Sequence, residues 1–312
     1  MKSIHSTLIL VVGVSSAVFA LAGAPKIHLN SDAELALYDD ETQAQYRAEA
    51  AFLTALSYQD GLIQLPGGIA QLQIPEDYYY LSPEDAQKVL VEAWGNPPGD
   101  ELPLGMIFPA RFTPLADEAW GVTVDYEADG HVSDEDANQT DYNALFDQMQ
   151  ADMQQSNEWR LSEGYGSIEL VGWAARPYYD EVGKKLHWAK ELRFDNSADT
   201  TLNYNIRVLG REGVLVLNFI ADMEQLAQVE NALPTVLNMP GFSPGNTYGD
   251  FDSSLDTLAA YGIGGLVAGK VLAKTGFFVV ALIFLKKFGI VLVLGLVAVA
   301  RKFFAGRDEK EK

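Results

Sequence analysis

The chain has 312 residues, with 22 Lys and Arg against 43 Asp and Glu and a formal net charge of −21. It contains no cysteine, which excludes disulfides, thiolate metal ligands and a cysteine nucleophile, so its core must be held by packing alone. The surplus of acid argues against nucleic-acid binding, which needs Lys and Arg to neutralise phosphates.

At the N-terminus, Lys2 precedes an apolar run at 8–21, and small residues follow at Ala20, Ala22 and Ala24. A basic start, a short apolar core and an A-x-A ending mark a secretory signal peptide. Residues 1–22 are read as that signal, cut after Ala22, because a cut after Ala24 would leave Pro25, with no N–H and a fixed φ, beside the scissile bond. An uncleaved signal anchor is the alternative, and either way the segment that follows is expected to be exported. Residues 23–240 are expected to form an acidic exported domain. The stretch 23–260 carries 12 Lys and Arg against 40 Asp and Glu, a balance of −28. A basic ligand or a cation suits that charge, and so does a plain solvated surface.

Within the domain, 41–58 has helical spacing, with Tyr46, Ala50 and Leu53 on one face. GLIQLPGG and IAQLQIP alternate around Pro66, Gly67 and Gly68, as a hairpin does. Ser82, Pro83, Glu84 and Asp85 predict a helix start, with Ser as cap, Pro at the first position and two carboxylates at the positive end of the dipole. Gly95 ends that helix. Strands are expected at 104–108 and 120–126, then a helix with Tyr142, Leu145, Phe146, Met149 and Met153 as its apolar stripe. Four further strands are read at 167–173, 185–194, 202–209 and 213–220, with a turn at Arg211, Glu212 and Gly213. A helix capped by Asp222 follows, running toward Leu233.

Strands joined by short turns favour antiparallel pairing, so the fold class is α+β: antiparallel sheets with helices packed on one face, followed by a C-terminal transmembrane helix. Residues 241–260, rich in Gly, Pro, Ser and Asp, read as a linker. Residues 261–305 read as the membrane anchor and 306–312 as a short cytoplasmic tail.

The anchor centres on an apolar run from Phe277 through Leu285 and Leu294 to Ala300, closed by Arg301, Lys302 and Arg307. At about 1.5 Å per residue it matches a hydrocarbon layer about 30 Å thick. The trailing basic residues place the tail in the cytoplasm. Lys286 and Lys287 interrupt the run, each at a cost of about 2.5–3.5 kcal/mol that the surrounding Leu, Val, Ile and Phe can offset. One span is the favoured reading. A hairpin turning at the lysine pair, or an interfacial helix with the lysines reaching outward, stays open beside it.

The runs GWAARPYYD (172–180), LHWAKELRF (186–194), LNYNIRVLGREGVLVLNFIA (202–221) and YGDF (248–251), with DGHVSDEDA (129–137), resemble the DUF2167 family of predicted membrane-anchored bacterial proteins. The resemblance implies an exported, membrane-tethered protein, and the expected location is the bacterial inner membrane with the bulk of the chain periplasmic or extracytoplasmic. It implies no reaction and supplies no catalytic residues.

One stretch calls for a metal test. From Asp125 the segment DYEADGHVSDED sets Asp125, Glu127 and Asp129 at alternate positions, Gly130 sixth, Ser133 ninth and Asp136 twelfth, with His131 inside the same candidate loop. That is the register of an EF-hand calcium loop, where alternate oxygens surround a hard cation. Glu at the third position and Asp at the twelfth depart from it. The plainer alternative is a strand, a turn at Ala128, Asp129 and Gly130, and a polar approach to the next helix. Calcium is thus the one cofactor considered, and otherwise none is expected.

His187 and Glu191 share a strand face and form a candidate acid–base pair, and Trp173, Tyr178 and Tyr179 could line a pocket. His28, His131 and His187 make no zinc spacing, and no P-loop, dinucleotide-binding glycines or nucleophile elbow is present. The expected function is an exported domain that binds or scaffolds a protein partner in the envelope, its membrane contact made by the C-terminal helix. The alternative is an envelope hydrolase working through Asp and Glu, with calcium as its conceivable cofactor.

Overall fold

In the computed structural model, residues 24–27 and 32–268 are described, apart from 97, 98, 100 and 196. The expected signal at 1–22, the tail at 306–312, and Phe277, Leu285, Lys286, Lys287, Leu294 and Ala300 of the expected anchor all lie outside the described residues. Among the described residues no helix is long and apolar enough to cross a membrane.

A short helix α1 (Asp32–Leu35) leads to α2 (Asp40–Thr54), whose start is fixed by Asp39 accepting the Thr42 N–H at 2.8 Å. The expected hairpin is β1 (Gly61–Gln64) with β2 (Ala70–Ile74). β3 (Tyr78–Leu81) runs into α3 (Pro83–Lys88), where Ser82 caps and Pro83 opens the helix, as the sequence predicts. A π-helical turn, Val89–Ala93, extends α3 before Gly95 turns the chain at φ 68°.

β4 (Gly105–Pro109), β5 (Gly121–Glu127) and the short β6 (His131–Ser133) precede α4 (Tyr142–Ser162), which Asp141 caps. Then come β7 (Ile168–Asp180), β8 (Lys185–Phe194), β9 (Thr201–Leu209) and β10 (Val214–Asp222). At the end of β10 the Gln225 side chain accepts the Asp222 N–H at 2.8 Å and opens the turn into α5 (Leu226–Asn238). β11 (Pro240–Phe242), β12 (Leu258–Gly262) and α6 (Ile263–Ala268) close the described chain.

The centre is a seven-stranded antiparallel sheet in the order β3-β4-β5-β10-β9-β8-β7. β11 adds to the β1-β2 hairpin as a third strand, and β12 pairs with β6 in parallel. On the first face of the large sheet, Val122, Leu202, Tyr204, Ile206, Leu215, Leu217 and Phe219 form the main core with α5 and the small sheet.

The expectation that helices pack on one face is corrected here. β10 is apolar on both sides and β8 adds Leu186 and Trp188 to the second, so that face must be covered as well. There Leu186, Trp188, Val214 and Val216 meet Leu145 of α4 and Ile263, Leu266 and Val267 of α6. At the other end of that face Tyr79, Leu81, Met106 and Phe108 pack on Ala86 and Val89.

The stretch 241–260 is also not the linker its composition predicts. It supplies β11, a 3₁₀ turn at Tyr248–Asp250 and most of β12. It is held by Arg211, which grips Asp256 with two hydrogen bonds of 2.7 and 2.8 Å and donates to the Gly245 carbonyl at 3.1 Å. The start of the expected anchor belongs to the globule too, because α6 buries Ile263, Gly265, Leu266 and Val267.

Candidate functional site

The residues of the candidate calcium loop are divided between two places. Asp125 and Glu127 stand on β5 and face the second side of the sheet, since alternate strand residues share a side and Val122 and Val124 belong to the opposite one. Asp129 accepts the Tyr261 hydroxyl at 2.6 Å. The His131 ring is sandwiched between Tyr248 and Phe251, at centroid distances of 4.3 and 4.0 Å, with Nδ1 3.2 Å from the Arg211 carbonyl oxygen. Ser133 Oγ accepts the Glu135 N–H at 3.4 Å. Asp136 accepts the N–H groups of Ile263 and Gly264 at 2.8 and 3.1 Å, capping α6. The six are not brought to one point, and no metal-holding group of three or more His, Asp or Glu occurs among the described residues. Gly130 is explained by its turn: φ is 97° and a Cβ would lie 2.6 Å from the Thr257 carbonyl.

From Asp129 onward the loop enters a knot that ties sequence motifs far apart in the chain. Asp134 is its hub. It accepts the Tyr179 hydroxyl at 2.6 Å, the Lys184 ammonium at 2.7 Å and the Tyr248 hydroxyl at 3.1 Å. Burial pushes the Asp134 carboxyl up, but these three donors outweigh burial and hold it below the ordinary value. An open cleft of about 370 Å³ beside the knot is lined by Tyr126, Asp129, Gly130, Glu212, Leu255 and Asp256.

The other place is the middle of the second sheet face, between the α3 cluster and the α4–α6 cluster. The strand register aligns Trp188, Asn205, Asn218 and Thr123 across four strands. Trp188, Asn205 and Thr123 are at most 6% exposed. On one side of this row lie Arg207 and Asp125, separated by Val216 of the intervening strand, and on the other lie Asn203 and Lys190.

Arg207 donates to the Ile206 carbonyl and to Asn218 Oδ1, both at 3.1 Å, and its guanidinium lies 5.2 Å over the Trp188 ring. Burial pushes Asp125 up to about 6, with Glu127 adding to the rise while Arg207 and Thr123 oppose it. Burial, with Arg207 adding, holds the Lys190 ammonium down at about 8. Sequence reading misses this cluster because Asn203, Asn205 and Arg207 alternate with apolar residues and so look solvent-facing. The available signal was that Trp188 and Val216 stand on the same side.

The candidate pair His187 and Glu191 is not joined. His187 Nδ1 lies 2.9 Å from the Tyr204 hydroxyl, and burial lowers its pKa, while Glu191 accepts the Thr200 hydroxyl at 2.8 Å. Trp173, Tyr178 and Tyr179 also go separate ways: Trp173 packs on Phe146, Tyr178 is 60% exposed and Tyr179 joins the knot.

Among solved structures, that of cyanobacterial PsbP (CyanoP) from Synechocystis sp. PCC 6803 is similar at 11% identity and a TM-score of 0.32, over 60% of this chain and 92% of that one. The Ran-binding protein Mog1p of Saccharomyces cerevisiae is similar at 11% identity and a TM-score of 0.28, over 59% of this chain and 96% of that one. Likeness at this level carries no argument about fold or function. No curated protein matches the chain. The model of one family, described as "Protein of unknown function (DUF2167)", matches residues 57–297, most of the chain, and the protein belongs to that family.

Proposed function

We propose that this protein is an exported, membrane-anchored domain that binds or scaffolds a protein partner in the bacterial envelope. The observation that carries the reading is how the chain leaves the globule. β12 and α6 are built into the fold, with Ile263, Leu266 and Val267 in the core and the start of α6 capped by Asp136. The apolar run at 277–300 begins a few residues later. Eight residues separate α6 from that run, so the domain stays within about 30 Å of a bilayer the run enters, as suits presenting a surface to a partner. The family match, which reaches residue 297, takes in most of the apolar run.

The test is fractionation of the full chain together with labelling of a cysteine placed at Gly306. Retention in carbonate-washed membranes, with reaction only from the cytoplasmic side, is expected. A freely soluble full chain would sink the anchor, and reaction from the outer side would sink the single span. Affinity capture from the native membrane is expected to return a stoichiometric envelope protein.

A second reading, an envelope hydrolase working through carboxylates, draws on Asp125 and Glu127, which share a strand face, one of them carrying a raised pKa. It requires that turnover of an envelope glycan or peptide fall by roughly 10²-fold or more in Glu127→Gln.

A further inference from the structure

The second face of the central sheet is apolar at both flanks and polar between them. Along that polar band, the described residues leave donors without hydrogen-bond acceptors. The Trp188 indole Nε1 is buried with no hydrogen-bond partner, on a residue 1% exposed. The half-buried Lys190 has no ion-pair or hydrogen-bond acceptor among the described residues. Among the described residues Arg207 hydrogen-bonds only two neutral oxygens, both through Nη1, which leaves its Nε and Nη2 edge without an acceptor, although the carboxylates of Glu127 and Asp125 act on it through space. Buried donors and charges are costly unless something accepts from them. Two positive side chains and an indole N–H on adjacent strands call for an acceptor that these residues do not supply.

We propose that this polar band is a binding site for an oxyanion, a phosphate or carboxylate group seated beside Trp188 between Arg207 and Lys190. The free guanidinium edge offers the paired N–H geometry that such a group takes up, and the ammonium adds a point charge. Asp125 and Glu127 approach the same band from β5, on the far side of Val216 and Val214. Their charges repel an anion there and confine it to the β8–β9 side. The depressed Lys190 pKa agrees with an ammonium that lacks its counter-charge. The site is independent of the tether, and either can fail without the other.

The experiment titrates the full chain, in phosphatidylcholine nanodiscs, with inorganic phosphate while its melting midpoint is followed. Lys190→Met and Lys190→Arg are run beside it. The wild type and Lys190→Arg are expected to melt higher as phosphate rises past its Kd. Phosphate affinity should fall roughly 10–100-fold in Lys190→Met, which should itself melt no lower than the wild type without phosphate. A wild type indifferent to phosphate, or a Lys190→Met that responds as strongly, overturns the proposal. Repeating the titration in phosphatidylglycerol nanodiscs names the source: a lipid headgroup in the site removes the further response to phosphate, and a soluble occupant leaves it intact.

Discussion

Asp134 carries more of the local structure than any other single carboxylate in the knot, because three donors from three segments meet on it. Replacing it by Ala strands Lys184 and the Tyr179 hydroxyl, while the Tyr248 hydroxyl keeps the Val132 carbonyl at 3.2 Å. The expected loss is roughly 1.5–3 kcal/mol, read as a lower urea midpoint with unchanged slope. Its lowered pKa fixes the sign with pH: the contribution is present above the unfolded carboxylate pKa and is lost as pH falls through the lower folded value.

Asp125 runs the other way. Its pKa rises from 3.8 to about 6, so between those values the folded state holds a proton that the unfolded state has released. Stability therefore falls as pH rises through about 6 and the full cost persists above it. Asp125→Asn should raise stability by on the order of 1 kcal/mol at about pH 8 and flatten that slope. An unchanged pH profile would show that burial is not what shifts this group. The alternate acids at 125, 127 and 129 could be read from sequence as ligands or as a strand, because period two serves both. What decided between them was Tyr261, 132 positions from the Asp129 it bonds, which no local pattern reveals.

At the scale of elements, the strands and helices that carry their own punctuation were legible. Ser82 with Pro83, the Gly67 and Gly68 turn, and the apolar alternation of β9 and β10 each fix a boundary by local chemistry. The stretch after α5 was not, because Gly, Pro, Ser and Asp make tight turns in a folded segment as readily as they make a flexible one. What orders it comes from elsewhere: the Arg211 grip on Asp256, the Asp134 bond to Tyr248 and the Asp136 cap on α6. The cap also explains Gly262, where a Cβ would collide with the Asp136 carboxylate. Removing the cap by Asp136→Ala should cost about 1–2 kcal/mol. Because that loss is local, limited proteolysis should show new cleavage within 241–268 before the central sheet yields. Cleavage elsewhere first would contradict this division of labour.

On the scale of the whole molecule, an acidic domain with a balance of −28 over residues 23–260 sits next to an apolar run closed by basic residues. A domain of that charge is repelled by anionic headgroups, so the proposed attachment has to rest on the apolar run. Membrane association is therefore expected to survive high salt, which screens charge but not hydrophobic contact, and a chain ending at residue 268 should not sediment with vesicles. Release by salt alone would show the attachment to be electrostatic.

The parallel pairing of β6 with β12 has a bearing on timing. A polypeptide emerging from its N-terminus offers His131 long before Leu258 arrives to lie beside it. The strand between Asp129 and Asp136 must wait, its partners still unmade, through the synthesis of four long strands and two helices. Tyrosines 248 and 261 then dock within moments of each other, and the next residues to appear are the greasy ones. Maturation of the globule and arrival of the apolar run thus become nearly a single event, and a nascent molecule stalled shortly before that point would be an open target for proteases.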